Sequence, residues 1–264
     1  MIDGVEVVRH PRARVARLSV DPATGRVRLT VPKRMAMAKA VAWAGEKAEW
    51  IAAQRAKLPQ SRPFVDGAVV PVADRTVRLR WAEGGSRTVR FVPAADRGSA
   101  QPGAEDQAEP ASAILALDPR LCGDTAVDDE AILTCGGPIE QFSSRIERWL
   151  KREALRLLTE DTAHYAAKAG VTVAQVAIGD PKARWGSCSS TGTIRYSWRL
   201  LLAPGFVRRA TVAHEVAHRV HMHHGPAFHT LVATLFEGDP DAARRWLRAE
   251  GAVLHWFGRT ASSG

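Results

Sequence analysis

A chain of 264 residues with 45% hydrophobic content can bury a sizeable core and suits one large domain or two small ones. The first residues, MIDGVEVVRHPRARV, carry charge where a signal peptide needs an apolar core, and no later stretch approaches the roughly 18 apolar residues of a membrane span. A cytoplasmic protein without a membrane partner is expected. The net charge of +9 favours an anionic partner, but its carriers are seven Lys and thirty Arg in an Ala-rich sequence, spread from Arg12 and Arg14 to Arg245 and Arg248. Nucleic-acid binding is therefore possible but unsupported by a compact basic patch. Three cysteines, Cys122, Cys135 and Cys188, lack C-x-x-C pairing and read as reduced thiols.

In sequence order, Val15–Val20 and Arg26–Val31 alternate around the turn residues Asp21-Pro-Ala-Thr-Gly25, which predicts a β-hairpin. Met35–Leu58 carries Ala40, Trp43, Ala44, Lys47, Trp50 and Ile51 at helical spacing, with Trp43 and Trp50 as packing anchors. Val77–Trp81 and Thr88–Val92, around Glu83-Gly-Gly-Ser86, predict a second hairpin. Pro93–Ser112 is Ala, Gly, Pro, Gln and acidic residues, a composition that cannot bury enough apolar surface to offset its ordering entropy. A strand at Ala113–Leu117 follows, then a long helix from about Pro138 to Ala169 stopped by Gly170. Val171–Ile178 and Thr193–Leu200 read as strands. Pro204 opens the next helix, and further helices start near Pro226 and Pro240. The fold class is α+β: an N-terminal β-hairpin-rich unit with one helix over residues 1–94, a linker or insertion over 95–112, and a second, helix-rich unit over 113–264.

Six of the nine histidines lie between His214 and His229. On a helix, His214 and His218 sit one turn apart on one face and can direct two imidazoles at one ion, with Glu215 beside it. This is H-E-x-x-H, which on a helix points to a zinc hydrolase. Phe206, Ala210, Ala213, Ala217 and Val220 form an adjoining apolar stripe expected to fix that helix in the core. A catalytic zinc takes three protein ligands and keeps a position for water, so a third group must approach from off the helix. His224 is the leading candidate, because it precedes Gly225, a residue free to turn the backbone out of the helix through the left-handed region. The expected chemistry is hydrolysis of a polarised carbonyl, with Glu215 taking the proton of an activated water and passing it to the leaving amine.

Two segments resemble the YgjP-like metallopeptidase family, relatives of the SprT-like proteins within the zincin group. The first is Lys182-Ala-Arg-Trp-Gly-Ser-Cys188 with Gly192–Leu200 and Ala203-Pro204. The second is His214-Glu-Val-Ala-His218 with His224, Gly225 and Phe228. The likeness runs from about residue 14 to 255. It implies one Zn2+ on His214, His218 and His224 and Glu215 as the catalytic residue, without implying a known substrate; a protein or peptide is the substrate expected of a metallopeptidase. The sequence departs from the family pattern at His223 for Asn, Gly225 for Ser and His229 for Trp. Zincin relatives bind substrate along a strand beside the active helix, a part that Thr193–Leu200 is placed to play, with Tyr196 or Arg199 as candidate oxyanion contacts. Trp185 and Cys188 read as a packed turn.

Other assignments stay open at this point. A metzincin site is not among them, since although His224 has the right spacing, the required glycine is His221 here and no methionine follows Met222. A gluzincin site takes a downstream glutamate, for which Glu237 is the nearest candidate. A structural zinc with a fourth ligand among His221, His223 and His229 would suit a nucleic-acid module, and the SprT likeness also admits a protease stimulated by DNA.

Overall fold

The computed structural model describes residues 4–94 and 131–260, and within them the protein is a mixed α+β structure of three small sheets and six helices. The expected insertion at 95–112, the expected strand at Ala113–Leu117, and Cys122 lie outside the described residues.

The first hairpin forms as its alternation dictates. Strands β2 (Arg17–Val20) and β3 (Val27–Pro32) pair antiparallel, and Val27, Leu29 and Val31 point inward while Arg28 stays exposed. At the turn, Asp21 accepts the Ala23 N–H at 2.8 Å and Gly25 takes a left-handed φ of 71°. An additional strand, β1 (Val5–His10), runs parallel to β3 on its other side. The long helix expected over Met35–Leu58 is two shorter ones, α1 (Met37–Glu46) and α2 (Ala48–Arg55), broken at Lys47 with φ −98° and ψ 14°. Ala40 and Ala44 pack on this sheet, and Trp43 lies against the same cluster. Trp50 anchors nothing of the kind, being 40% exposed.

The second hairpin is paired differently from its prediction. Strand β4 (Val69–Val72) turns through Ala73 and Asp74, both at positive φ, into β5 (Arg75–Trp81). Such a two-residue turn matches the twist of the strands. Strand β6 (Arg90–Val92) does not pair with β5, because β7 (Ala131–Cys135) inserts between them to give the order β4-β5-β7-β6. Alternation alone could not reveal a partner so distant in sequence. Phe64, Val70, Val72, Val77 and Leu79 join the large core around α3 (Phe142–Ala169), apart from the cluster under β1–β3. Helix α3 buries Phe142, Ile146, Leu150, Ala154 and Leu158 at four-residue spacing and ends at Gly170, left-handed at φ 65°.

The third sheet frames the site. Strands β8 (Gln175–Gly179), β9 (Gly186–Cys188) and β10 (Thr193–Ser197) lie in the order β8-β10-β9, with β10 parallel to β8 and antiparallel to β9. The expected strand to Leu200 stops at Ser197, after which Trp198–Leu202 forms a buried 3-10 turn. Helices α4 (Gly205–Ala217), α5 (Pro226–Phe236) and α6 (Pro240–Leu254) follow, and α4 packs against α3, α5, α6 and β9. No helix among the described residues is long and apolar enough to cross a membrane.

Candidate metal centre

Helix α4 is held at its start and along its inner face. Asp74, in the turn after β4, accepts the Gly205 N–H at 2.6 Å, satisfying one of the donors a helix start leaves open and setting a carboxylate at the positive end of its dipole. Val207, Val212, Ala213, Val216 and Ala217 bury its inner face. The apolar stripe differs at its tips from the expectation, since Phe206 and Val220 are exposed and a run of spacings could not show where the core ends.

His214 and His218 lie on the opposite side, half-buried, with ring centroids 5.0 Å apart. His218 is the C-cap of α4, so the backbone has already left the helix before His221. His224 folds back from the following loop. Its Nε2 lies 3.2 Å from His214 Nε2, and its ring lies 4.7 Å from that of His218. Gly225 contributes through an extended backbone, φ −84° and ψ 178°, as N-cap of α5, and not through the left-handed turn expected of it. Phe228, at the first turn of α5 and 1% exposed, is the common floor. Its ring centroid is 4.9, 4.6 and 4.7 Å from those of His214, His218 and His224.

One donor nitrogen from each histidine falls within 4.8 Å of the other two. Donors about 2.1 Å from one tetrahedral ion sit roughly 3.4 Å apart, so the 3.2 Å between His214 and His224 suits a shared metal. The chemistry of the donors agrees. Burial, followed by the neighbouring imidazoles, lowers the His214 pKa to about 4, and burial lowers that of His218, leaving neutral lone pairs at pH 7. His218 Nδ1 lies 3.1 Å from the His221 carbonyl, which fixes its ring and frees Nε2 for the metal.

Glu215 is 6% exposed and lies beside β9. A Cβ built on Gly186 would stand 2.5 Å from its Oε1, so the strand can pass the carboxyl only as glycine. Burial raises the Glu215 pKa to about 7, against the opposing charge of Arg184. A carboxyl poised near neutrality can both take and return a proton.

The family model described as YgjP-like, metallopeptidase domain, matches residues 15–116 and 126–250. The protein belongs to the YgjP-like metallopeptidase family. No curated protein and no solved structure matches it. Membership places it in the class of metal-dependent hydrolases, and in this YgjP-like protein the three converging histidines are the group of side chains among the described residues able to hold a metal.

Of the remaining candidates only His229 stays beside the centre, on the wall of the cavity that holds His214 and Glu215. Tyr196 is fully buried, its hydroxyl 3.0 Å from that of Thr162, and burial raises its pKa, so it cannot face a substrate oxyanion. Arg199 is also buried. It donates to Asp180 at 2.6 and 3.2 Å and to the carbonyls of Leu254 and Phe257 at 2.6 and 3.0 Å, tying the end of α6 to β8. Glu237 is exposed and paired with Lys168, away from the histidines. His223 and His229 are exposed, and His229 stacks 6.3 Å from His224. β10 is central in its sheet, so the edge strand facing α4 is β9, not Thr193–Leu200.

Sequence reasoning missed three contributors. Arg184 carries charge to Glu215, and its only sequence signal is its place two residues before Gly186. Phe228 was visible as a motif residue without a role. Trp185 is no simple turn residue: it lines a cavity shared with His214 and Glu215, packs on Gly251 of α6 and stacks on buried His255 at 5.1 Å.

Proposed function

We propose that this protein is a zinc-dependent peptidase in which His214, His218 and His224 hold the ion and Glu215 is the general base and acid. The observation that carries the reading is the convergence of three imidazole nitrogens within 4.8 Å of one another, two of them carried by the helix that also buries the Glu215 carboxyl. When bound, zinc supplies Lewis acidity for a peptide carbonyl and makes water acidic enough to ionise near neutral pH. Glu215 accepts a proton from water and returns it to the leaving nitrogen, a cycle its raised pKa permits in both directions.

Substrate would enter as a strand. β9 pairs with β10 along one edge and is terminal in the order β8-β10-β9, so its other edge offers backbone groups to an extended peptide. Gly186 lays one face of the same strand against Glu215, so a peptide on its free edge would run beside the carboxyl. A protein or peptide is therefore the substrate class this geometry favours.

The test is zinc analysis of the purified protein together with a proteome-wide cleavage comparison against Glu215→Gln. About one zinc per molecule in both proteins, with cleavage only by the parent, is expected. Turnover retained in Glu215→Gln would sink the mechanism.

A further inference from the structure

The cavity containing His214 and Glu215 measures about 650 Å³ and reaches between β9, α4 and α6. Much of its lining is apolar, from Trp185, Ala210, Val232, Ala243 and Leu247. Besides Glu215, Arg184, Asp241 and Arg244 bring charge to it. Asp241 and Arg244 are bonded to each other at the start of α6, so their charges offset locally. Arg184 is different. Among the described residues it has no carboxylate in ion-pair range and no hydrogen bond, although its charge is felt at Glu215. A guanidinium carries five donors in a planar fork suited to a carboxylate, and a concave apolar wall with one such group orients a ligand by its charged end.

We propose that this cavity is a substrate subsite selecting a carboxylate, which Arg184 grips while the carbon stem carrying it lies against Trp185 and Leu247. The inference rests on the peptidase reading for its substrate class. A glutamate side chain and the free C-terminus of a peptide share the chemistry required. A lysine at the same position would be repelled.

The experiment uses the zinc-loaded full-length protein and peptides in which a single Glu is moved through a neutral background, each matched by a Gln control and made with free-acid or amidated ends. At one position kcat/KM should favour Glu over Gln by roughly tenfold or more, the scale of a charge-assisted hydrogen bond in a partly enclosed site. The ratio should fall to near one in Arg184→Gln, and Lys should become favoured in Arg184→Glu. A preference confined to free-acid ends assigns the carboxylate to the peptide terminus. No Glu or free-acid preference in the parent, or the same preference in Arg184→Gln, overturns the proposal. Should no peptide be cleaved, calorimetric titration of zinc-loaded Glu215→Gln with the same peptides separates the two readings. Carboxylate-dependent binding lost in Arg184→Gln keeps the subsite and removes the peptidase; equal binding of the acid and neutral peptides removes the subsite as well.

Discussion

Replacing Gly186 by alanine tests the coupling between the edge strand and Glu215 without touching a histidine. Gly186 does not adopt a left-handed φ, so its backbone accepts alanine and the objection is space alone. The added Cβ would lie 2.5 Å from Glu215 Oε1, 2.6 Å from Cγ and 2.7 Å from Cδ, where ordinary contact begins at 3.4 Å. Strand and carboxyl must therefore part by close to 1 Å, a misplacement that can cost about 100-fold at a catalytic group. Overpacking of this kind also costs roughly 1–3 kcal/mol of stability, which a thermal melt would register. The assay is kcat at saturating peptide, with zinc affinity measured by chelator competition on the same preparation. A large fall in kcat with zinc affinity unchanged is expected. Parent-like kcat in a folded Gly186→Ala protein would refute the claim that Glu215 works from this position.

Other substitutions probe the centre from different sides. His224→Ala should lose tight zinc binding and activity, whereas His221→Ala should keep the metal, because His221 acts through a backbone carbonyl that alanine retains; equal chelator resistance in His224→Ala and the parent would return the third-ligand question to the beginning. Phe228→Ala removes the floor shared by three imidazoles and should cost about 3–5 kcal/mol of stability and weaken zinc binding; unchanged zinc affinity would show that the histidines hold themselves in place. Burial, then the charges of Lys182 and Arg199, keeps buried His255 neutral with a pKa lowered to about 4. The unfolded state takes up that proton below about pH 6.5, so stability should fall as pH drops from there toward 4, by roughly 3 kcal/mol. Denaturant melts of parent and His255→Asn across this range should differ in slope, and equal slopes would place the acid sensitivity elsewhere.

Elements governed by local chemistry were legible in the sequence. The hairpin around Asp21-Pro-Ala-Thr-Gly25 and the long helix ending at Gly170 each combine periodicity with a terminating residue that has a specific backbone need. Elements governed by distant partners were not. β6 pairs with β7 instead of β5, and β1 adds to β3 across a hairpin, because pairing choice depends on which strands the core can bury together. The break at Lys47 has no proline at its position to announce it, and the helical spacing of apolar residues continues through it to Ile51.

The same division runs through the site. His214, Glu215 and His218 could be read because one helical turn fixes their relation, and His224 because the backbone must leave that helix before Gly225-Pro226. Tyr196 and Arg199 misled because both have suitable chemistry on one expected strand, yet sequence spacing tells neither which side of a strand faces the metal nor that the strand gives way to a buried 3-10 turn before Arg199. β10 lies at the centre of its sheet, and there Tyr196 is opposite Gly186 in the β9–β10 register while its side chain goes into the core toward Thr162. The strand beside Glu215 is instead the three-residue β9, too short for alternation to detect. Its glycine was legible as a residue, but the reason for it was not, because the requirement comes from a carboxyl on another element. Arg184 follows from the same geometry: once β9 is the wall of the cavity, the residue leading into it becomes the cation whose charge reaches the proposed general base, whereas in the sequence it is one of thirty arginines.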